Sequence, residues 1–417
     1  MRNVKGIFVS EPENTIRKNA LEGVRVIDFS WIVAGPQCTR ILGDFGADVI
    51  KVENDANLDY IRASKPVGGS NSPNRSPLFT TLNRNKRSLT LNVMHPRGME
   101  LLKELIKKSD VIVENFSSRV LEKWGLGYEE QKKINPKIIY CSMSGFGHSG
   151  RDRDFVTWGP TAQALSGLTY MSGLPGEDSA GWGFSYMDHT GGFYGTIAIM
   201  MALIHRNRTG KGQFIDLAQY ESTVSLLGTS ILEYTANGKL PDRPGNRSQN
   251  MAPHNVYRCK GMDRWCAIAV STEEEWQNLK KGLGELEWMN QPKFANFNQR
   301  KANEEELDEG INDWTSDKDA YEVMNLLQSH GVPAGVVQDT EDLLKRDKSF
   351  TDTHVIDMPH PEIDSMKVHG ETISMSGVTP KVDRAPLLGE HTEYILGDLL
   401  GVAESKIDDL YVSGVLK

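Results

Sequence analysis

The chain has 417 residues, of which 38% are hydrophobic and 25% charged, and a formal net charge of −9. That length exceeds one core and predicts a globular protein of two or three lobes. The acidic balance excludes a nucleic-acid partner, whose binders carry a basic stripe, and the apolar runs are too short to cross a bilayer, so no membrane partner is expected.

Residues 1–20 are polar and aperiodic and read as an N-terminal arm; without the apolar core of a signal peptide, the expected location is cytoplasmic. From Gly23 strands alternate with helices. Residues 24–29 read as a strand, and Gly35-Pro36 opens a helix that Gly46 ends. Residues 48–53 form the next strand, and after a loop rich in Asn, Ser, Gly and Pro (54–78), residues 88–93 alternate as another. Met99, Leu102, Leu105 and Ile106 recur at helical spacing. Residues 111–113 and 138–141 are continuous apolar runs, as in strands buried on both faces of a parallel sheet. The pattern predicts an α/β fold with a Rossmann-like sheet whose ligands sit outside the carboxyl ends of the strands. No G-x-G-x-x-G follows a strand, which argues against a dinucleotide.

Further on, one carboxylate, Asp188, stands between Gly181/Gly183 and Gly191/Gly192, just before the apolar run 193–204, which predicts a helix. Two readings stay open at this point. An aspartate there is an ordinary helix N-cap, or it is a reactive anion at the favourable end of a helix dipole with backbone free to approach a bulky ligand. Residues 213–217 then read as a strand and 220–234 as a helix. Residues 237–254 read as a linker, and 257–270 as a hairpin turning at Lys260-Gly261. Charged helical segments at 273–286 and 303–330 complete a small α+β domain over 255–330. A strand at 332–337 and a helix at 340–345 suggest that 331–417 return to the large domain begun by 21–236. Cys38, Cys141, Cys259 and Cys266 fit neither a disulfide framework nor metal spacing; they are expected as small buried hydrophobes, and no metal site is expected.

Several stretches, in order along the chain, carry a family resemblance. They are Leu21-Glu22-Gly23-Val24-Arg25-Val26-Ile27-Asp28, Ala34-Gly35-Pro36, Gly46-Ala47-Asp48-Val49-Ile50-Lys51-Val52-Glu53, Asn85-Lys86-Arg87-Ser88, Val113-Glu114-Asn115-Phe116, Arg208-Thr209-Gly210-Lys211-Gly212-Gln213 and Gly389-Glu390-His391-Thr392. Together they resemble the class III CoA-transferases, a family that includes formyl-CoA and carnitine CoA-transferases and α-methylacyl-CoA racemases. The resemblance implies a large domain built from both chain ends, an inserted small domain, and an interlocked dimer, either of two copies or with a paralogous subunit. It puts Asp188 where the family keeps its catalytic aspartate. Ile32 and Val33 match positions that meet CoA, Leu91 an adenine-side contact, and Asn115 and Phe116 the loop against pantetheine and phosphates. Lys123 falls where relatives carry a basic residue for the phosphates, a solvated helix lysine being the alternative. Ser117-Ser118-Arg119 replaces the family's Arg-Pro-Gly, and Asn54 replaces a basic residue; Arg62 or Arg119 could substitute.

By the same resemblance CoA and acyl-CoA are substrates, with no tightly bound cofactor, and a donor acyl-CoA such as succinyl-CoA gives its CoA to an acceptor carboxylic acid. A carboxylate suits that chemistry because its anhydride and thioester match the substrates in reactivity. Gly181, Gly183 and Gly245-Asn246 are candidate oxyanion donors. The competing racemase reading needs a histidine as second acid/base, and none lies between His148 and His189. A CoA-binding subunit of a heteromer is a third reading. Trp31, Trp158, Trp182, Phe184 and Tyr186 suit an aromatic acceptor acid, benzylsuccinate among them, if they line the site rather than the core.

Overall fold

The computed structural model describes residues 19–64 and 66–417, so most of the expected arm lies outside the described residues. The chain divides into two compact units. One comprises the residues up to Thr169, Gly181–Ala236 and His354–Lys417; the other comprises Tyr170–Ala180 and Asn237–Thr353.

The first unit is built on a parallel sheet of six strands: β1 (Arg25–Asp28), β2 (Asp48–Glu53), β3 (Lys86–Thr90), β4 (Val111–Glu114), β5 (Ile139–Ser142) and β6 (Phe214–Asp216). Its order is β3-β2-β1-β4-β5-β6, so the chain reverses direction of winding between β1 and β4. Such a reversal opens a crevice at the carboxyl edge. Because successive residues of a strand point to opposite faces, Val26, Val49, Val111 and Ile139 pack one core, and Ile27, Ile50, Ile112 and Tyr140 the other. The connections carry α1 (Ala34–Asp44), α2 (Pro77–Asn83), α3 (Pro96–Lys107), α4 (Val120–Lys123), α5 (Tyr128–Ile134), α6 (Gly159–Leu165) and α7 (Tyr186–Thr209), and α8 (Gln219–Val224) and α9 (Gly228–Asn237) follow β6. Leu102, Leu105 and Ile106 of α3 cover one face, and Cys38, Ile41 and Leu42 of α1 with Ile199 and Leu203 of α7 cover the other.

The helix after the glycine-rich stretch begins earlier than the apolar run implied. Its N-cap is Ser185, and Asp188 lies inside the first turn. Gly191 and Gly192 are helical residues rather than a turn. The reason is packing: a Cβ on Gly192 would stand 2.7 Å from Gln37 Cγ and 2.9 Å from the Ala34 carbonyl of α1. Only glycine lets α7 lie this close to α1.

The edge strand β3 is covered from the far end of the chain. His391 N donates to Ser88 O, Gly389 N to Ser88 Oγ, and Thr90 N to Thr392 Oγ1. The Gly389-Glu390-His391-Thr392 motif is thus a seal for a sheet edge that would otherwise present free backbone groups.

The second unit holds an antiparallel sheet, β7 (His254–Arg258), β8 (Trp265–Ala269) and β9 (Ala334–Val336). Against it pack Trp276 and Leu279 of α10 (Glu273–Gly282), Leu307 and Ile311 of α11 (Glu304–Thr315), and Val323 and Leu327 of α12 (Ala320–Ser329). The strand at 332–337 therefore does not return to the large domain: β9 pairs with β8, and this unit runs to Thr353. A three-residue strand carries no local sign of which sheet it joins.

Among the described residues no helix is long and apolar enough to cross a membrane, and no group of three or more His, Cys, Asp or Glu is arranged to hold a metal. All four cysteines are free and buried.

Candidate active site

The loop from β1 to α1 is fixed by buried polar groups. Ile32 adopts the left-handed region, φ 62°, which is costly for a β-branched residue and persists only where its surroundings over-determine it. They do. Asp59 Oδ1 accepts from Ile32 N at 2.9 Å, and Lys51 Nζ, fully buried, donates to Ser30 O at 2.7 Å and to Asp59 Oδ2 at 3.2 Å. From the next strand, Asn115 brackets Trp31: its Oδ1 accepts from Trp31 N at 2.8 Å, and its Nδ2 donates to Trp31 O at 2.9 Å. Asn115 is therefore first a clamp on the Trp31 loop.

A cavity of about 240 Å³ opens at the carboxyl edge, bounded by Trp31, Ile32 and Val33 after β1, by Asn115 and Phe116 after β4, and by Asp188. Gly159, at the start of α6, touches the carboxylate so closely that a Cβ there would stand 2.0 Å from Asp188 Oδ2. Burial lifts the Asp188 carboxyl to about 6, against a hydrogen bond from Ser185 that favours the ionised form. The walls are aromatic. Trp158 meets Tyr60 at 6.1 Å, Tyr60 meets Trp31 at 5.6 Å, and Trp31 meets Phe116 at 5.4 Å between ring centroids.

Beyond Trp31 and Phe116 a second, apolar cavity of about 280 Å³ continues along the same edge, walled by Phe29, Val52, Leu91, Val93 and Trp124. The two cavities share Trp31 and Phe116, so Ile32, Val33, Asn115 and Phe116 are brought together with Asp188 while Leu91 lies in the adjoining space. Lys123 is exposed on α4 and lines neither cavity. A further cavity of about 370 Å³ lies at the opposite edge, where β2 and β3 begin. Its cations are paired, Arg87 with Asp48, Lys381 with Asp383 and Arg384 with Glu390.

Other expectations are corrected here. Arg62 cannot serve a phosphate: it is buried, paired through two bonds of 2.7 Å with Glu53, and stacked 3.6 Å over Phe79. Arg119 is half-buried in a left-handed turn and lines neither cavity. Gly181 and Gly183 are exposed and do not line the cavity. Trp182 packs on Tyr186, and Phe184 stacks on His189 at 4.7 Å, so none of these rings lines the cavity. His148 is held by Ser142 Oγ at 2.7 Å; no histidine lines the cavity. Sequence reasoning missed Tyr60, Phe155 and Gln219 on its walls. Tyr60 and Gln219 each sit shortly after a strand end, which was the one available signal.

A doubly wound sheet with a carboxylate on the wall of an apolar, aromatic-lined crevice at its carboxyl edge is the arrangement of an α/β enzyme. The chain belongs to CoA-transferase family III, whose model matches residues 21–392, and it is a family III CoA-transferase. It is 34% identical to the succinyl-CoA–L-malate CoA-transferase beta subunit of Chloroflexus aurantiacus, over 94% of this chain and 96% of that one. It is 33% identical to the formyl-CoA:oxalate CoA-transferase of Afipia carboxidovorans, over 95% and 97%. Against the succinyl-CoA:glutarate CoA-transferase of Mus musculus the figures are 32% identity over 99% and 94%. A solved CAIB/BAIF family protein from Brucella suis superposes with a TM-score of 0.85 at 33% identity, covering 92% of this chain and all of that one.

Proposed function

We propose that this enzyme transfers CoA from a donor acyl-CoA to an acceptor carboxylic acid by way of Asp188. The observation that carries the reading is the carboxylate itself, in the first turn of α7 on the wall of the apolar cavity, with a raised pKa that marks a desolvated anion. Asp188 attacks the donor thioester carbon, forming an aspartyl–acyl anhydride and expelling CoA thiolate. The thiolate attacks the aspartyl carbonyl, giving an aspartyl-CoA thioester and the free donor acid. The acceptor carboxylate then attacks that thioester, forming a second anhydride, and the expelled thiolate takes the acceptor's acyl group and restores Asp188. CoA is a substrate throughout, and the shared aromatic wall of the two cavities suits its pantetheine arm. Ile32, Val33, Asn115 and Phe116 line that path, with Leu91 toward its adenine end; Lys123 is proposed as a phosphate contact from the surface.

The donor is succinyl-CoA, supported by the names of the malate and glutarate transferases to which this chain is similar. The acceptor carries an aromatic or other bulky apolar body, supported by Trp31, Tyr60, Phe155 and Trp158 on the cavity wall. Epimerisation has no such support, because no histidine lines the cavity. Incubation with succinyl-CoA and a panel of acids, followed by mass detection of thioesters, tests the reading: a new aromatic acyl-CoA is expected, and its absence across the panel removes the acceptor assignment. We propose further that the working form is an interlocked dimer, of two copies or with a paralogue. Phe193, Ile197, Met201 and Ile204, a stripe on α7 with each residue about half exposed, support it.

A further inference from the structure

Gln219 opens α8 on the wall of the Asp188 cavity and is 5% exposed. One end of its amide is occupied: Nε2 donates to Met143 O at 2.7 Å. A carbonyl oxygen can only accept, so this bond fixes which end of the amide is nitrogen. It leaves Gln219 Oε1 buried with no partner. A buried acceptor without a donor is uncommon, because the water it gave up has not been replaced. Other orphaned amide oxygens among the described residues, Gln131 Oε1 and Gln163 Oε1, do not line this cavity. The Gln219 side chain lies along the same side of α7 as the carboxylate. A Cβ on Gly191, three residues beyond Asp188, would stand 3.3 Å from Gln219 Cγ and 3.7 Å from its Oε1, and positions three apart share a helix face.

We infer that Gln219 binds substrate, with Oε1 accepting a hydrogen bond from an N–H or O–H group that the occupant brings into the cavity. The pantetheine arm carries two amide N–H groups and a hydroxyl, of which the cysteamine-side amide lies nearest the thioester and hence nearest Asp188; an acceptor with a 2-hydroxyl would bring a further donor on the acyl chain. The inference rests on the cavity being the transfer site. Its signature is asymmetric discrimination. A site with a fixed buried acceptor rejects an analogue that lacks the donor far more strongly than an apolar wall rejects an extra methylene.

The test is equilibrium binding of two matched pairs to proteins carrying Asp188→Asn, in which turnover does not interfere. One pair is a CoA thioester and its analogue with an ester oxygen in place of the cysteamine-side amide N–H. The other is a 2-hydroxyacyl-CoA and its deoxy counterpart. With Gln219 intact, the members of one pair are expected to differ by about 5- to 100-fold, and in Gln219→Met to converge within about twofold. Convergence in the first pair assigns the donor to the pantetheine arm; convergence in the second assigns it to the acyl hydroxyl. Loss of folded protein lowers both members of a pair alike, so the ratio reports the oxygen alone. Gln219→Asn, which keeps the amide but withdraws it by one methylene, should narrow the same ratio. Equal binding within both pairs when Gln219 is intact, or ratios unchanged in both variants, overturns the inference. Turnover of Asp188→Asn is measured separately: activity there removes the nucleophile reading without altering the binding ratios.

Discussion

Asp188 must be ionised to attack a thioester, and burial sets where that happens. With its carboxyl raised to about 6, kcat/KM should fall about tenfold per pH unit below pH 6 and level off above it, as initial rates between pH 4.5 and 8 will show. Asp188→Ala should lower kcat by about 10³-fold or more while CoA binding stays within a few-fold, because the relay is lost and the crevice is not. Turnover and calorimetry on the same preparation check both halves. Glu114 titrates differently. It is buried beside the clamp, accepting from Phe116 N at 2.8 Å and Tyr140 Oη at 3.0 Å, and burial lifts it from 4.5 to about 7. A raised carboxyl contributes stability that is complete below the unfolded pKa and lost as pH rises through the folded one. Relative to wild type, Glu114→Gln should therefore gain on the order of 3 kcal/mol between pH 4.5 and 8. Denaturant unfolding at several pH values decides it. Asp188 stood out in the sequence because a carboxylate amid glycines is conspicuous, but the residues alone left an N-cap as open as a reactive anion, and the family resemblance singled out the second. Gln219 was not, since nothing local marks an amide whose oxygen lacks a partner.

Elements built from continuous apolar runs were the most legible, because a strand buried on both faces leaves no alternative pattern: 111–113 became β4 and 138–141 became β5. The start of α7 was misplaced because glycines that serve close packing look, in sequence, like glycines that serve a turn. The contact of α6 with α7 gives a direct check. In Gly159→Ala the new methyl would overlap Asp188 Oδ2, so the carboxylate must turn away. Activity should drop by about 10²-fold, the scale on which a misplaced catalytic group acts, with thermal unfolding little changed. The β1–α1 loop gives another. Lys51→Met would strand the buried Asp59 carboxylate and release Ile32. A loss of about 3–5 kcal/mol is expected from breaking such a pair on one side, read as a lowered denaturant midpoint.

At the scale of the whole molecule, the division into two units was visible as a change of texture after residue 237, but the membership of β9 was not, since strand pairing is decided by residues far apart in sequence. An interlocked dimer buries more than a standard interface and does not dissociate without unfolding. Sedimentation at nanomolar concentration should give a species near twice 46.5 kDa; a folded monomer would rule interlocking out. The seal on β3 has its own consequence. During synthesis the sheet strands β1 to β6, all before residue 217, leave the ribosome well ahead of residues 389–392. For that interval β3 is an open edge, able to pair with any extended chain nearby. At a few to some twenty residues per second, the exposure lasts for roughly ten seconds or more. A message truncated before codon 389 should consequently yield aggregated rather than merely inactive protein. Supplying the missing C-terminal segment as a separate peptide should restore solubility only if it is present while the nascent chains are still emerging.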